Sequence, residues 1–351
     1  MTPDVTVYGA GIFGLSCAWA LLCRGARVRV VDPAGVGAGA SGGVVGALAP
    51  HVPERWNAKK AFQLDSLLMA QDWWADVADA GGGNPGYART GRLQPIVDAD
   101  ARVRAEARDR AARTLWRGAA SWRIVPAPAE WGVGSEEAIF DDLSARIHPA
   151  RACAALAMAI RAGGGEVVDA DAPPAGLVLH ATGWRGLGDL RDAADRPAGV
   201  GIKGQAAVLR LDRADLPQLY LDGLHVVPHA DGTVAVGSTT EREFALPDNT
   251  DGQLDDVIAR AVVAVPELRG AEVVGRWAGV RPRARSRAPL LGAWPGRAGH
   301  FVANGGFKIG FGMAPKVAEV MAELMLTGRD AVPEDFSTRA LAPGNSYRSS
   351  G

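Results

Sequence analysis

Cysteine is scarce in this chain: three residues in 351, at Cys17, Cys23 and Cys153. Thiols at these spacings cannot build a disulfide framework or a zinc site, and the lack of a CxxC or CxxxxC pair sets aside a disulfide reductase. A reducing, cytoplasmic setting is therefore expected. An excess of either charge is also missing. With 38 basic and 39 acidic residues the formal net charge is -1, so no overall field gathers nucleic acid or an anionic membrane, and neither is expected as a partner. Long apolar runs are lacking too, since glycine or charge breaks each one well short of the roughly 18 residues a membrane helix needs. The amino-terminal stretch MTPDVTVYGAGIFGLSCAWALLCRG carries no basic head and is interrupted by Gly9, Gly11 and Gly14, unlike a secretory signal. What remains is 48% hydrophobic and 22% charged, a globular composition whose length suggests two domains.

Glycine, with 45 residues, carries the first functional signal. Val5, Thr6, Val7 and Tyr8 form a β-branched and aromatic run suited to a buried strand. Gly9, Gly11 and Gly14 follow, then a helical stretch over 12–24, a second strand over 26–31, and Asp32 at its end. A strand, glycine turn, helix and strand within about 30 residues is the setting in which G-x-G-x-x-G binds a dinucleotide. Gly9 permits the tight turn, Gly11 lets backbone amides approach a pyrophosphate, and Gly14 lets the helix pack on the sheet. The helix N-terminus offers free N–H groups and positive dipole character to the phosphates. Asp32 stands where a carboxylate accepts hydrogen bonds from the adenosine ribose. The turn by itself does not separate FAD from NAD.

Further along, residues 57–80 read as a long helix, with Leu64, Leu67, Leu68 and Trp74 on one face. The run Gly81-Gly82-Gly83-Asn84-Pro85 marks a crossing between domains. A strand is expected at 90–97, an arginine-rich solvated helix at 101–116, and a helix at 150–162 opened by His148 and Pro149. A strand at 177–181 leads into Thr182 and Gly183. A strand-rich block spans 200–280, and the α/β pattern then returns with a strand at 300–303 and a helix over 311–326. The last dozen residues look low in structure.

Six separated motifs stand in one order: GAGIFG at 9–14, GASGGVVGALAPH at 39–51, HATGW at 180–184, IKGQ at 202–205, HVVPHADGTVAVGST at 225–239, and WAGVRP with NGGFKIGFGMAP at 277–282 and 304–315. In this order they resemble the D-amino acid oxidase and glycine oxidase family of FAD flavoproteins, over residues 4 to about 328. The resemblance implies an α/β (α+β overall) fold. A Rossmann-type FAD-binding domain would come from 1–82, 141–198 and 281–351. A second, smaller domain on a mixed or antiparallel sheet would come from 83–140 and 199–280 and hold the substrate.

The resemblance also implies site residues. FAD, held noncovalently because no cysteine lies near the C-terminal motif, would contact Gly9, Gly11, Ile12, Phe13 and Gly14 in the first turn, and Asp32 and Pro33 beyond it. Ala40, Ser41, Gly46, Ala47 and Leu48 would run beside the isoalloxazine ring, with Thr182, Gly183, Trp184 and Gly204 closing over the nucleotide. Gly305, Gly306, Phe307, Lys308, Ile309 and Gly310 complete the set. Arg281 falls where relatives fix the substrate carboxylate, a task suited to a planar, permanently charged fork; the alternative is a surface arginine, as expected for Arg283, Arg285 and Arg287. Lys308 would lie at the flavin, or else snorkel from a helix start. His225, where relatives often carry tyrosine, and His51 complete the catalytic candidates.

The implied activity is FAD-dependent oxidation of the C–N bond of an amino acid or small amine, with oxygen or an electron carrier taking the electrons. An N-methyl amine or imino acid dehydrogenase and a flavin-binding subunit without turnover remain the alternatives, and a tRNA-modifying flavoenzyme is the weakest, with only the short basic run at 281–287 and the helix at 101–118 to offer nucleic acid.

Overall fold

The computed structural model describes residues 2–342. The β-branched run forms β1 (Val5–Tyr8), followed by α1 (Ile12–Leu22) and β2 (Val28–Val31). After the small-residue loop come β3 (Ala47–Leu48) and α2 (Ala58–Gly81). Asn57 opens α2 by accepting from the Lys60 N–H, and Gly82 closes it in the left-handed region at φ 69°. Leu64, Leu67 and Trp74 on α2 are buried, as their spacing predicts.

Next come β4 (Arg92–Pro95), α3 (Ala99–Leu115), β5 (Trp122–Pro126), β6 (Glu137–Asp141) and β7 (Ala145–Arg146). His148 caps α4 (Pro149–Ala162), which carries proline at its first position, where a missing N–H costs nothing. β8 (Glu166–Val168), β9 (Leu177–His180) and α5 (Gly183–Asp189) follow. The strand-rich block comprises β10 (Gly199–Arg210), β11 (Gln218–Leu221), β12 (Leu224–Pro228), β13 (Thr233–Gly237), α6 (Gly252–Ala264) and β14 (Val273–Ala284). The last elements are β15 (Leu290–Ala293), β16 (His300–Asn304) and α7 (Gly310–Thr327).

Two large sheets result. The first has the order β15-β16-β9-β1-β2-β8, parallel except for the edge strand β15. Its order reverses at β1, and open parallel sheets bind ligands beyond the carboxyl ends of the strands at such a reversal. α1 packs on α7, and α2 packs on α7 and α4, in one core with the sheet. The second sheet, β14-β10-β13-β12-β11-β4-β6-β5, is antiparallel except where β4 pairs with β11. It buries one face against α6 and Trp131. This is the mixed second sheet expected above.

Two sequence expectations need correction. The expected domain divide at 280/281 cuts through β14, which pairs with β10 from Val273 to Ala284; the strand ladder carries Arg281 with the second sheet. The expectation of little structure over the last dozen residues fails at its start, because Leu341 is buried against Leu187, Leu190 and Leu290; residues 343–351 lie outside the described residues. Among the described residues no helix is long and apolar enough to cross a membrane.

One buried ion pair ties the second sheet together. Arg92 Nε on β4 donates to Asp141 Oδ2 on β6 at 3.0 Å, and the two side chains are 7% and 0% exposed. Asp141 Oδ1 also accepts the Ser144 N–H. Asp141→Ala leaves the guanidinium buried without its counter-charge and is expected to cost roughly 3–5 kcal/mol of unfolding free energy in urea titrations.

Candidate active site

A single cleft of about 710 Å³ runs from the reversal at β1 to the face of the second sheet. That volume lies in the range of small-molecule and cofactor sites. At one end lies the glycine turn. Gly9 adopts φ 106°, where a side chain is strained, and a Cβ on Gly14 would overlap the Gly9 carbonyl. Gly14 is therefore a packing residue and does not line the cleft. Gly11, Ile12 and Phe13 do line it. α1 begins at Gly11, which has no side chain to cap it, and Ser41 Oγ takes only the Ile12 N–H, at 3.0 Å. Asp32 also lines the cleft, accepting from Ala10 N at 2.8 Å and Ala34 N at 3.1 Å, which fixes its carboxylate while leaving each oxygen a lone pair.

The loop after β2 supplies the next wall: Ala40, Ser41, Gly46 and Ala47, with Pro33 before them. His229 braces this loop, its Nε2 lying 2.9 Å from the Val44 carbonyl. Leu48 is buried behind it, outside the cleft. Thr182, Gly183 and Trp184 enter from the end of β9. Asn304 holds that corner by donating to Gly183 O at 2.9 Å. Gly306 lies against Phe13, close enough that a Cβ would come within 2.9 Å of the ring. Gly306, Phe307, Lys308 and Gly310 line the cleft, whereas Gly305 and Ile309 do not. α7 starts at Gly310 with no side-chain cap, so its N-terminus, like that of α1, opens on the same space.

The second sheet forms the floor of the other end. Tyr220, His225, Gly237, Ala206 and Trp277 are register partners across β11, β12, β13, β10 and β14. The small residues in the middle leave a trough between Trp277 and the Tyr220–His225 pair, whose rings lie 4.8 Å apart. On β14, Trp277, Gly279 and Arg281 share a face. A Cβ on Gly279 would overlap the Trp277 indole, and one on Gly204 would overlap the Arg281 guanidinium. Gly204, expected at the nucleotide, instead clears the space in which Arg281 lies.

Arg281 lines the cleft. Its Nη2 donates to Ser238 Oγ at 2.9 Å and its Nη1 to Thr239 O at 3.4 Å. Both acceptors are neutral. Burial pulls its pKa below the usual guanidinium range, to about 10, with nearby Glu241 opposing the shift, so it remains a cation at neutral pH. Lys308 Nζ donates to Thr240 Oγ1 at 2.9 Å, and desolvation and then Arg281 lower its pKa. His225 lines the same end with its buried Nδ1 unpartnered. Burial, followed by Arg92, Lys308 and Arg281, pushes its pKa down to about 3, which makes it a neutral imidazole. His51 is not in the cleft. Gln63 of α2 takes its N–H at 2.8 Å and also meets its ring Nδ1, a clamp between loop and helix.

Sequence reasoning missed Trp277, Tyr220, Ser238 and Asn304. For Trp277 a signal exists: large, glycine and arginine alternate along one strand face at 277, 279 and 281. Arg285 is exposed, as expected, and pairs with Asp192 at 2.7 Å.

These features fit an FAD. Its diphosphate would face the α1 N-terminus and Gly11, its ribose Asp32, and its ring the 40–47 loop and the start of α7. The comparisons agree: the FAD dependent oxidoreductase family matches residues 4–324. The chain belongs to this FAD-dependent oxidoreductase family. The glycine oxidase of Pseudomonas putida is 27% identical over 361 residues, covering 95% of this chain and 96% of that protein. Among solved structures, glycine oxidase from Geobacillus kaustophilus superposes with a TM-score of 0.80 at 20% identity, covering 95% and 98% of the two chains. Iminodiacetate oxidase from Chelativorans sp. BNC1 gives 0.81 at 20% identity and the same coverages.

Proposed function

We propose that this oxidoreductase oxidises the C–N bond of an amino acid or small amine to an imine, which water hydrolyses to a keto acid and ammonia. The six-stranded unit would be its nucleotide side and the eight-stranded unit, extended through Ala284, its substrate side. Bound FAD supplies the two-electron acceptor. The observation that carries the reading is Arg281. It is a cation at the substrate end of a dinucleotide cleft, steered by two neutral oxygens and so left with its charge for a ligand. A bidentate carboxylate is what a guanidinium fork in a dry cleft binds best. With that end fixed, the α-carbon is held toward the 40–47 loop and the start of α7.

The other side chains act by position. Tyr220 and His225 form the wall that a substituent on the α-carbon or nitrogen meets. His225, neutral here, accepts a hydrogen bond from the substrate amine but is too weak a base to take its proton at neutral pH. The substrate ammonium therefore gives its proton to water and not to His225. Lys308 adds positive charge beside the flavin position, where reduction builds up negative charge. The free state of Cys17, Cys23 and Cys153 supports a reducing, cytoplasmic setting.

Anaerobic titration of the purified yellow protein with glycine, sarcosine, iminodiacetate, proline and D- and L-amino acids tests the reading. At least one carboxylated amine is expected to bleach the flavin band, and air is then expected to restore it with hydrogen peroxide if oxygen is the acceptor. A flavin that stays oxidised across the panel refutes the proposal. Bleaching that only an artificial carrier reverses makes the protein a dehydrogenase.

A further inference from the structure

We infer that Glu241 and Thr239 are positioning residues that set Arg281 and Lys308 together, so that the substrate anchor and the flavin-side charge share one mount. The inference rests on the reading of the site just given. Both cations end on three consecutive residues. Arg281 donates to Ser238 Oγ and Thr239 O, and Lys308 to Thr240 Oγ1. Residues 238–240 follow β13 without belonging to a strand, so something other than a sheet ladder must hold them.

The holder is a buried polar network built on the expected IKGQ motif. Lys203 and Glu241 exchange backbone hydrogen bonds at 3.0 and 2.9 Å, and Thr239 N donates to Gln205 O at 3.2 Å. Gln205 N donates to Thr239 Oγ1 at 2.8 Å. The Thr239 hydroxyl in turn donates to the Glu241 carboxylate, which also accepts from Gln205 Nε2 at 3.1 Å and lies 3.6 Å from Lys203 Nζ. Lys203, Gln205 and Glu241 are 3%, 0% and 7% exposed. Gln205 then clamps the start of α6, donating to Asp251 Oδ1 at 2.9 Å and accepting from Asp251 N at 2.8 Å.

The charges explain the arrangement. Glu241 compensates Lys203 at ion-pair distance and reaches Arg281 only through space, raising its pKa without a contact. The carboxylate thus fixes where the cations sit while leaving them open to a substrate carboxylate and to the flavin. A fully satisfied buried network of this kind holds its members to one geometry.

Thr239→Val in the flavin-loaded enzyme tests this, because it cuts the segment from Glu241 while leaving the Lys203–Glu241 pair intact. Two quantities are read: KM for the best carboxylated amine, and the dissociation constant for sulfite, an anion that bleaches oxidised flavin and senses positive charge beside it. Both are expected to rise about tenfold, with kcat within about threefold, since an anion contact made equally in the ground and transition states is read in KM. Thr239→Ser, which keeps the hydroxyl, is expected to restore both. The double variant Lys203→Met/Glu241→Met, which removes the charge pair together with the acceptor of the Thr239 hydroxyl, is expected to raise both as well. A Thr239→Val protein that holds flavin yet shows wild-type values for both, or moves one alone, overturns the inference. Should Thr239→Val not fold, the double variant decides by the same two readouts. If no amine turns over, the functional reading fails, while the sulfite comparison still decides whether Thr239 and Glu241 set the charge at the flavin.

Discussion

Gly11→Val should emerge from purification colourless. Gly11 sits where β1 gives way to α1 and lines the cleft; a Cβ there already comes within 3.1 Å of Ser41 Oγ. The two further methyl groups of valine must project toward the diphosphate position or push Ser41 away from the Ile12 amide it accepts from. Either outcome removes phosphate contacts at the helix N-terminus, where backbone N–H groups and dipole act together. The loss in FAD affinity should be roughly a thousandfold or more, since a side chain in a backbone-contact position excludes the ligand outright. Gly11 has no positive φ, so the fold tolerates the change. The measurements are the ratio of flavin absorbance to protein absorbance and the far-UV circular dichroism. A yellow Gly11→Val protein would mean that the diphosphate lies elsewhere. Gly14→Val is a poor substitute, because it collides with the Gly9 carbonyl and would unfold the turn.

Arg281→Ala carries the second large effect. Truncating one partner of a desolvated, hydrogen-bonded charge pair costs about 2–5 kcal/mol, so KM for carboxylated amines should rise about thirtyfold to a few thousandfold. Flavin content should be unchanged, as the side chain lies on the second sheet and not in the nucleotide cradle. A carboxylate-free amine should lose little, which gives an internal control. Arg281→Lys should recover only part of the loss, because an ammonium cannot make the paired contacts of a guanidinium. The pH dependence follows from the charge states. His225 is already neutral, its pKa being pushed to about 3, so the rise of kcat/KM with pH should track the substrate ammonium and survive His225→Phe. Unchanged kinetics in Arg281→Ala would remove it from the site.

The parts of this site legible in the sequence are those whose physics is local. Gly9 and Gly11 could be placed because a tight turn and a close backbone approach are properties of a short segment, and Asp32 because it ends the next strand. Arg281 was reachable through its motif. Gly204 was misplaced because its purpose is set across the sheet: it pairs with Gly279 on another strand, and linear reading gives no hint that a guanidinium lies over it. His51 was misread for the same reason, since Gln63 reaches it from a different element. Tyr220 and Trp277 could not be seen as opposite walls of one trough until four strand pairings had put them in line.

The order of strands in the first sheet has a consequence for how the holoenzyme comes into being. β1 is flanked by β2 and by β9, whose Leu177 pairs with Val5, and β16 joins only at residues 300–304. On the ribosome, the opening turn emerges long before the partners that complete its surroundings. A nascent chain that has not yet released α7 can offer phosphate contacts but no ring pocket, so cofactor capture belongs after α7 has emerged and packed. Flavin supply then acts on a folded but apo domain, whose lifetime against proteolysis would depend on how soon FAD arrives.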